Sequence, residues 1–394
     1  MPRARAVSHL FEGSYEETAA RNVARKLREE LGDEPTFGLV FASPDYQPHL
    51  DDFLEVIRLH GHLSLLAGCS GHGLVGTGLE REAKPGFSLM LLHLPDAVVR
   101  PVQLSAEQAE TVAGPAAWHR QTGVTPDQVK GWFILANPFD FPIERWMQQW
   151  NLAYPGIPTF GGLASGDPAA NEAWVFLNGE KVEGAVALAL GGEITIDTVV
   201  SQGCKPIGDP YTITGVDHNI LYTLGSQPAY KILDGAFQAL TDSEKEKARN
   251  NLFAGLAMSE YVEEFKRGDF VVRNIIAADP STGAVAIAAS PRVGQTLQYQ
   301  LRDADDASAD LDRRLAAKQA ELGNALPVAA FLCTCNGRGE DLFGAVNHDA
   351  RAVARHFPGV PTVGFFANGE IGPVGATTYL HGYTASIALV GSAR

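Results

Sequence analysis

The sequence predicts an α/β protein of mixed α+β character. Repeated strand-helix-strand units form mixed parallel and antiparallel sheets, divided between two domains. Three observations carry this expectation. One passage occurs three times in different wording, over residues 37–73, 131–166 and 326–372. Each copy has a short apolar run, a polar turn, a helical period, a second apolar run and then small residues around glycine. After the second copy, three short runs joined by tight turns leave no room for helical crossovers, so antiparallel strands join the parallel ones. Finally, 394 residues with 45 % hydrophobic and 20 % charged content can bury a sizeable core, unlike a coiled coil or a disordered chain.

The elements follow in order. Over residues 15–31, Ala19, Val23, Leu27 and Leu31 recur every four positions and predict a helix. Residues 37–42 form a short buried strand. Leu50, Phe53, Leu54 and Ile57 then fall at i, i+3, i+4 and i+7, and residues 64–67 make the next strand. Residues 87–94 and 98–104 alternate like strands. In the second copy Ile143, Trp146, Met147 and Trp150 repeat the helical spacing after the apolar run 132–136. Residues 1–200 therefore read as two halves related by duplication. The tryptophans pack beneath the second unit or form a contact surface. Asp167-Pro168 reads as a turn. Strands are expected over 173–178, 184–190 and 194–200, with Asn178-Gly179 suited to a tight hairpin. The stretch 204–210, with two prolines, is an ordered crossover or a pocket wall. A long amphipathic helix is expected over 243–266, strands over 270–276 and 284–290, and a charged helix over 303–322. In the third copy Val346, Ala350, Val353, Ala354 and Phe357 share a helical stripe, and an apolar strand closes the chain. The first domain is expected over residues 1–205 and the second over 206–394.

Composition narrows the function. A formal charge of -15 repels phosphate backbones and argues against a nucleic-acid surface. No apolar run is long enough for membrane insertion, and the N-terminus lacks the apolar core of a secretory signal. Cys69, Cys204, Cys333 and Cys335 show neither a disulfide framework nor a zinc spacing, which suits a reducing cytoplasm. The eleven histidines form no metal-binding cluster.

Three glycine-rich strand ends are candidate sites, because glycine lets backbone approach a ligand and point amide hydrogens at it. The first offers Cys69, Ser70 and His72, as ligand contacts, as a thiol nucleophile beside a base, or as a plain turn. The second, Gly161 to Gly166, offers space for a ligand or for close packing. The third is richer. Cys335, Gly337 and Arg338 follow one strand, and Asn368 and Glu370 follow the next. If those strands are neighbours, these residues share one sheet edge. A guanidinium fork matches a carboxylate or phosphate. Glu370 then receives a ligand amine or pairs with Arg338 instead. Cys335 is also a candidate nucleophile, with Arg338 as the positive neighbour a thiolate requires. His381 enters the last strand from a turn, as a structural side chain or as a haem contact.

These motifs together resemble the FIST proteins, which carry a FIST N-terminal domain followed by a FIST C-terminal domain. The likeness lies in Gly68-Cys69-Ser70-Gly71-His72-Gly73, Asn137-Pro138-Phe139, Gly161-Gly162-Leu163-Ala164-Ser165-Gly166 and Ser201 to Gly208. It extends through Cys335-Asn336-Gly337-Arg338-Gly339 and Gly364 to Pro373. The resemblance implies a cytoplasmic sensory module that binds a small ligand, with amino acids the usual suggestion. No cofactor is predicted, although some relatives bind haem and sense nitric oxide. The chain has no kinase or F-box segment, so its signal would pass to a separate signalling protein, through closure of the two domains over the ligand. The site is read as binding rather than catalytic. The alternatives are a haem-based gas sensor, a cysteine-dependent enzyme using Cys335 or Cys69, and an adaptor without a ligand.

Overall fold

The computed structural model describes residues 3–166, 172–249 and 251–393, and the expected Asp167-Pro168 turn lies outside them. The fold is mixed α+β, with 29 % helix and 40 % strand; the surplus of strand comes from hairpins added to each parallel pair. Two compact units share the chain. One holds Met1–Val200, Leu311–Leu380 and Thr384–Arg394, and the other holds Ser201–Asp310 and His381–Tyr383. The third copy groups with the first two and not with residues 201–310.

The first unit is one motif used three times: strand, helix, strand, helix, strand, hairpin, strand. The first copy runs β1 (Arg5–Glu12), α1 (Glu17–Leu31), β2 (Phe37–Ala42), α2 (Leu50–Gly61), β3 (Leu66–Ser70), β4 (Gly73–Gly76), β5 (Leu79–Glu82) and β6 (Gly86–His93). The second runs β7 (Ala97–Leu104), α3 (Ala106–Thr111), α4 (Pro115–Thr122), β8 (Gly131–Ala136), α5 (Ile143–Ala153), β9 (Thr159–Leu163), β10 (Val175–Leu177), β11 (Glu180–Val182) and β12 (Ala185–Gly192). The third opens with β13 (Ile194–Gln202), after which the chain enters the second unit.

That unit comprises β14 (Cys204–Pro206), β15 (Tyr211–Asp217), β16 (Ile220–Leu224), β17 (Gln227–Pro228), α6 (Ala229–Gln238), α7 (Asp242–Lys247), β18 (Leu252–Ala257), β19 (Phe270–Asp279), β20 (Ala284–Ile287) and β21 (Thr296–Arg302). Its strands run in the order β14-β21-β15-β16-β20-β19-β18, and β18 returns to β21, which closes six of these strands on themselves and leaves β14 at an edge. Ile232, Leu233 and Ala236 of α6 enter its core beside Ile213, Leu221 and Tyr299. The helix expected over 243–266 is corrected here. Only α7 is helical, capped by Thr241 and Glu244. Residues 252–257 lie between β19 and β21 as β18. A short apolar run suits a buried strand as well as a helix, and its ladder partners decide.

The third copy resumes with α8 (Ala304–Leu322), β22 (Ala329–Cys335), α9 (Glu340–Phe343), α10 (His348–His356), β23 (Thr362–Ala367), β24 (Glu370–Val374), β25 (Thr377–His381) and β26 (Thr384–Ser392). Val346 precedes α10 and is exposed, so it lies off the helical stripe expected for it.

Three six-stranded sheets result, in the orders β1-β6-β2-β3-β10-β11, β7-β12-β8-β9-β24-β25 and β13-β26-β22-β23-β4-β5. Each takes its first four strands from one copy and its last two from another. The β4–β5 hairpin follows β3 but pairs with β23. The β10–β11 hairpin follows β9 but pairs with β3, and β24–β25 follows β23 but pairs with β9. The three copies are thus joined in a cycle. At the matching positions Gly68, Gly161 and Gly364, an added Cβ would lie 1.7, 2.0 and 1.8 Å from the carbonyl oxygens of Val40, Ile134 and Leu332. Only glycine permits these parallel pairs.

The inner faces of the three sheets share one core that includes Phe41, Cys69, Phe133, Phe331, Cys333 and Phe365. Phe41 stacks on Phe365 with centroids 4.9 Å apart. The helices cover the outer faces, where separate cores form around Phe53 and Ile57, around Trp132, Trp146 and Trp150, and around Leu315 and Val353. The three tryptophans are fully buried, as packing beneath the second copy requires. No described helix is long and apolar enough to cross a membrane.

Candidate functional site

The hairpin exchange brings the three glycine-rich turns together. At two junctions the incoming turn donates a backbone hydrogen bond to the last residue of the strand it joins. Ser165 N–H meets the Ser70 carbonyl at 3.1 Å, and Asn368 N–H meets the Leu163 carbonyl at 3.0 Å. The third junction differs. His72 N–H donates to Ser165 Oγ at 2.8 Å, and that hydroxyl donates to the Phe366 carbonyl. One side chain of the second copy therefore bridges the first copy to the third.

Beside this bridge, β22 ends in Cys335 and the chain makes a 3-10 turn, Asn336–Arg338. The Cys335 sulfur is half-buried and accepts the Gly337 N–H at 3.5 Å. The turn aims Arg338 inward, where it is 1 % exposed. Its Nε and Nη2 donate to Oδ2 and Oδ1 of Asp349 at 2.8 and 2.9 Å, a bidentate pair. Thr334 Oγ1 donates to Asp349 Oδ2 at 2.6 Å, and His348 Nδ1 lies 2.8 Å from Oδ1. Burial would raise the Asp349 pKa, but the Arg338 charge and these bonds outweigh it and hold the carboxyl below its usual range. The His348 ring lies flat on Phe343, with centroids 3.5 Å apart.

The first copy adds two carboxyls through its exported hairpin. Glu80 Oε1 accepts the Ala350 N–H at 2.8 Å, and Glu80 N–H donates to Asn347 Oδ1 at 2.6 Å. Burial, reinforced by the Asp349 charge, pushes the Glu80 pKa up to about 8. Glu82 Oε1 accepts the Glu340 N–H at 2.9 Å and is also raised, chiefly by burial.

Glu370 begins β24, opposite Gly162. It is fully buried, and its Oε2 accepts the Thr384 N–H at 3.1 Å. Burial raises its pKa well above the usual range, although the Thr384 N–H, the Arg338 charge and the Cys335 side chain pull the other way. Burial thus favours the neutral form of the Glu370 carboxyl. Within this cluster, the buried atoms Asn336 Oδ1, Arg338 Nη1 and Glu370 Oε1 have no hydrogen-bond partner among the described residues. Leaving such a group unmet costs about 1–3 kcal/mol. Arg338 and Glu370 both interact electrostatically with Cys335, which places these groups around one thiol.

Of the residues singled out from sequence, Cys335, Gly337, Arg338 and Glu370 converge here. The ion partner of Arg338 is Asp349, whereas the sequence had offered Glu370. Asn368 is exposed, and its backbone N–H makes the contact described above. Cys69 and Ser70 lie within β3, beyond the strand expected over 64–67. Cys69 is buried in the inner core, where burial and then Cys333 raise its pKa well above the usual range. Ser70 Oγ accepts the Trp174 N–H at 3.0 Å. His72 faces a separate cleft of about 1080 Å³, lined also by Tyr15, Ser43, His49 and Lys84. His381 is 2 % exposed at the end of β25, so this side chain is not placed to reach a haem iron. No group of three or more His, Cys, Asp or Glu among the described residues is suited to hold a metal ion.

Asp349, Glu80 and the Ser165 bridge escaped the sequence reading. Asp349 had a weak signal, an acidic residue in the first turn of a helix, which is common for reasons unrelated to any site. Glu80 had none, because Ala350 lies 270 residues away.

The FIST N domain model matches residues 36–227, and the FIST C domain model matches residues 230–373. An uncharacterised protein of Mycobacterium tuberculosis strain H37Rv is 34 % identical over 375 residues, covering 94 % of this chain and 95 % of that protein. One of Mycobacterium bovis is 33 % identical over 376 residues, with the same coverage of 94 % and 95 %. Among solved structures, a cyanuric acid hydrolase aligns over 98 % of this chain and 100 % of its own, with a TM-score of 0.34 and 10 % identity. Another, from A. caulinodans, gives 0.33 and 10 % over 99 % and 100 %. Neither likeness is close enough to bear on chemistry. Matched in order by both domain models along most of its length, the chain belongs to the family that joins a FIST N domain to a FIST C domain.

Proposed function

We propose that this chain is a cytoplasmic sensory module that binds a small carboxylate, such as an amino acid, at the third-copy turn and signals to a separate protein. The observation that carries this reading is the trio of buried, unmet atoms on Arg338, Asn336 and Glu370. Arg338 Nη1 supplies a charge-assisted donor for a carboxylate oxygen. The Glu370 carboxyl, whose neutral form burial favours, donates a second hydrogen bond, and Asn336 Oδ1 accepts one from an ammonium or hydroxyl group. Asp349 fixes the other two guanidinium nitrogens, so the free edge of the fork is preorganised. Membership of a small-ligand sensory family supports the same reading.

Native mass spectrometry with a visible absorbance spectrum of the same sample is the first test. A small bound mass is expected, and a Soret band would mark a haem held by residues other than His381 instead. Thermal shift with single amino acids and small carboxylates then follows. A ligand at one hundred times its Kd stabilises by about 2.7 kcal/mol. That gain should vanish in Asn336→Ala and Arg338→Lys. A bare apo mass, with no probe moving the melting temperature, would overturn the proposal.

A further inference from the structure

We propose that Cys335 is a nucleophile that adds reversibly to the carbonyl carbon of a small aldehyde acid or 2-oxo acid held in this site. The proposal rests on the ligand-site reading above and names its substrate class.

The placement supports it. Cys335 is the only one of the four cysteines that is not buried. It closes a central strand opposite Ala367, so the sulfur is carried by rigid backbone. At the matching position the first two copies carry Ser43 and Asn137, so the thiol belongs to the third copy only. The Gly337 N–H steadies the sulfur at 3.5 Å. Arg338 and Glu370, both interacting with Cys335, each keep one polar atom unmet.

Those atoms match the addition. The ligand carboxylate meets Arg338 Nη1. The thiol sulfur forms a bond to the carbonyl carbon, and the C=O π pair moves to oxygen. That oxygen takes the proton of the Glu370 carboxyl, and the proton leaving the thiol restores it. The net change is addition of S–H across C=O, with no oxidant and no leaving group. The new hydroxyl donates to Asn336 Oδ1, so all three unmet atoms gain partners. Displacement at an alkyl carbon would leave Asn336 unmet.

The test uses iodoacetate and iodoacetamide, which share the reacting carbon and leaving iodide and differ by the carboxylate. Peptide mapping by mass spectrometry reads labelling at Cys335 in the full chain. Iodoacetate should label it faster by about tenfold or more, the size of one charge-assisted contact. Glyoxylate should protect it at concentrations where acetate does not. Arg338→Lys should erase the iodoacetate preference, and Glu370→Gln should weaken glyoxylate protection. Glyoxylate protecting no better than acetate would overturn the addition. Acetate binding to Cys335→Ser, measured by thermal shift, separates the two readings. If acetate binds but wild-type Cys335 labels slowly and without preference, the nucleophile is wrong and the carboxylate site stands. If acetate does not bind and labelling is slow, both fall.

Discussion

The third copy and the first two share a backbone plan but not an inner surface. Where an exported hairpin enters its neighbour's sheet, the first copy places Leu74 opposite Phe365 and the second places Val175 opposite Cys69. Both side chains join the inner core. The third copy places Glu370 opposite Gly162, a buried acid where its counterparts are apolar. Its first strand ends in a thiol, and the next turn buries a guanidinium paired with Asp349. Repetition builds the scaffold, and the candidate site lies where one repeat departs from it. A different junction, where the first copy's hairpin enters the third copy's sheet, is the one whose backbone bond is replaced by the Ser165 hydroxyl.

The largest effect should come from the buried ion pair, which is the sharpest mark of the third copy. Asp349→Ala would leave Arg338 charged and uncompensated, at a cost of about 3–5 kcal/mol. Denaturant unfolding at neutral pH measures it. A loss below about 1 kcal/mol, the scale of an exposed pair, would show that the pair does not set this copy apart.

Glu80 tests whether the first copy's hairpin shares that chemistry. Its carboxyl titrates near the ordinary 4.5 when unfolded and near 8 in the fold. Below pH 4.5 both states are protonated and the contribution is complete. As pH rises, the unfolded chain releases its proton first, so stability falls between those values, by at most about 1.4 kcal/mol per pH unit. Asp349 acts in the opposite sense, because its lowered pKa costs stability only on acidification. Glu80→Gln should flatten the decline between pH 5 and 8. An unchanged slope in that variant would place the proton elsewhere.

The smallest effect should come from Ser165. Removing its hydroxyl in Ser165→Ala leaves His72 N–H and the Phe366 carbonyl unbridged, at a cost of about 1 kcal/mol. Amide exchange of His72 should rise with it, while Asn368 N–H, bonded directly to Leu163, should not respond. Equal responses at both would mean that the three junctions are alike after all.

Much of this was legible along the chain. The helical stripes of α1, α2 and α5 and the thrice-repeated unit follow from local patterns, and the convergence of Cys335, Arg338 and Glu370 follows once β22 and β23 are neighbours. Period 3.6 and short apolar runs report which face of an element is buried, and glycine reports a close backbone approach. Gly68, Gly161 and Gly364 mark that approach in every copy.

Those same patterns do not say which strand edge will supply the ladder partner. A hairpin with one apolar face satisfies its backbone equally well on its own sheet or on a neighbour's. Packing of the complete unit makes that choice. With it came the cyclic exchange, the pairing of Glu80 with a helix start 270 residues on, and the strand at 252–257 where the sequence suggested helix. The residue types of the site can be read from the chain. Which of them stay charged, neutral or unmet follows from burial and from partners that only the folded unit brings within reach.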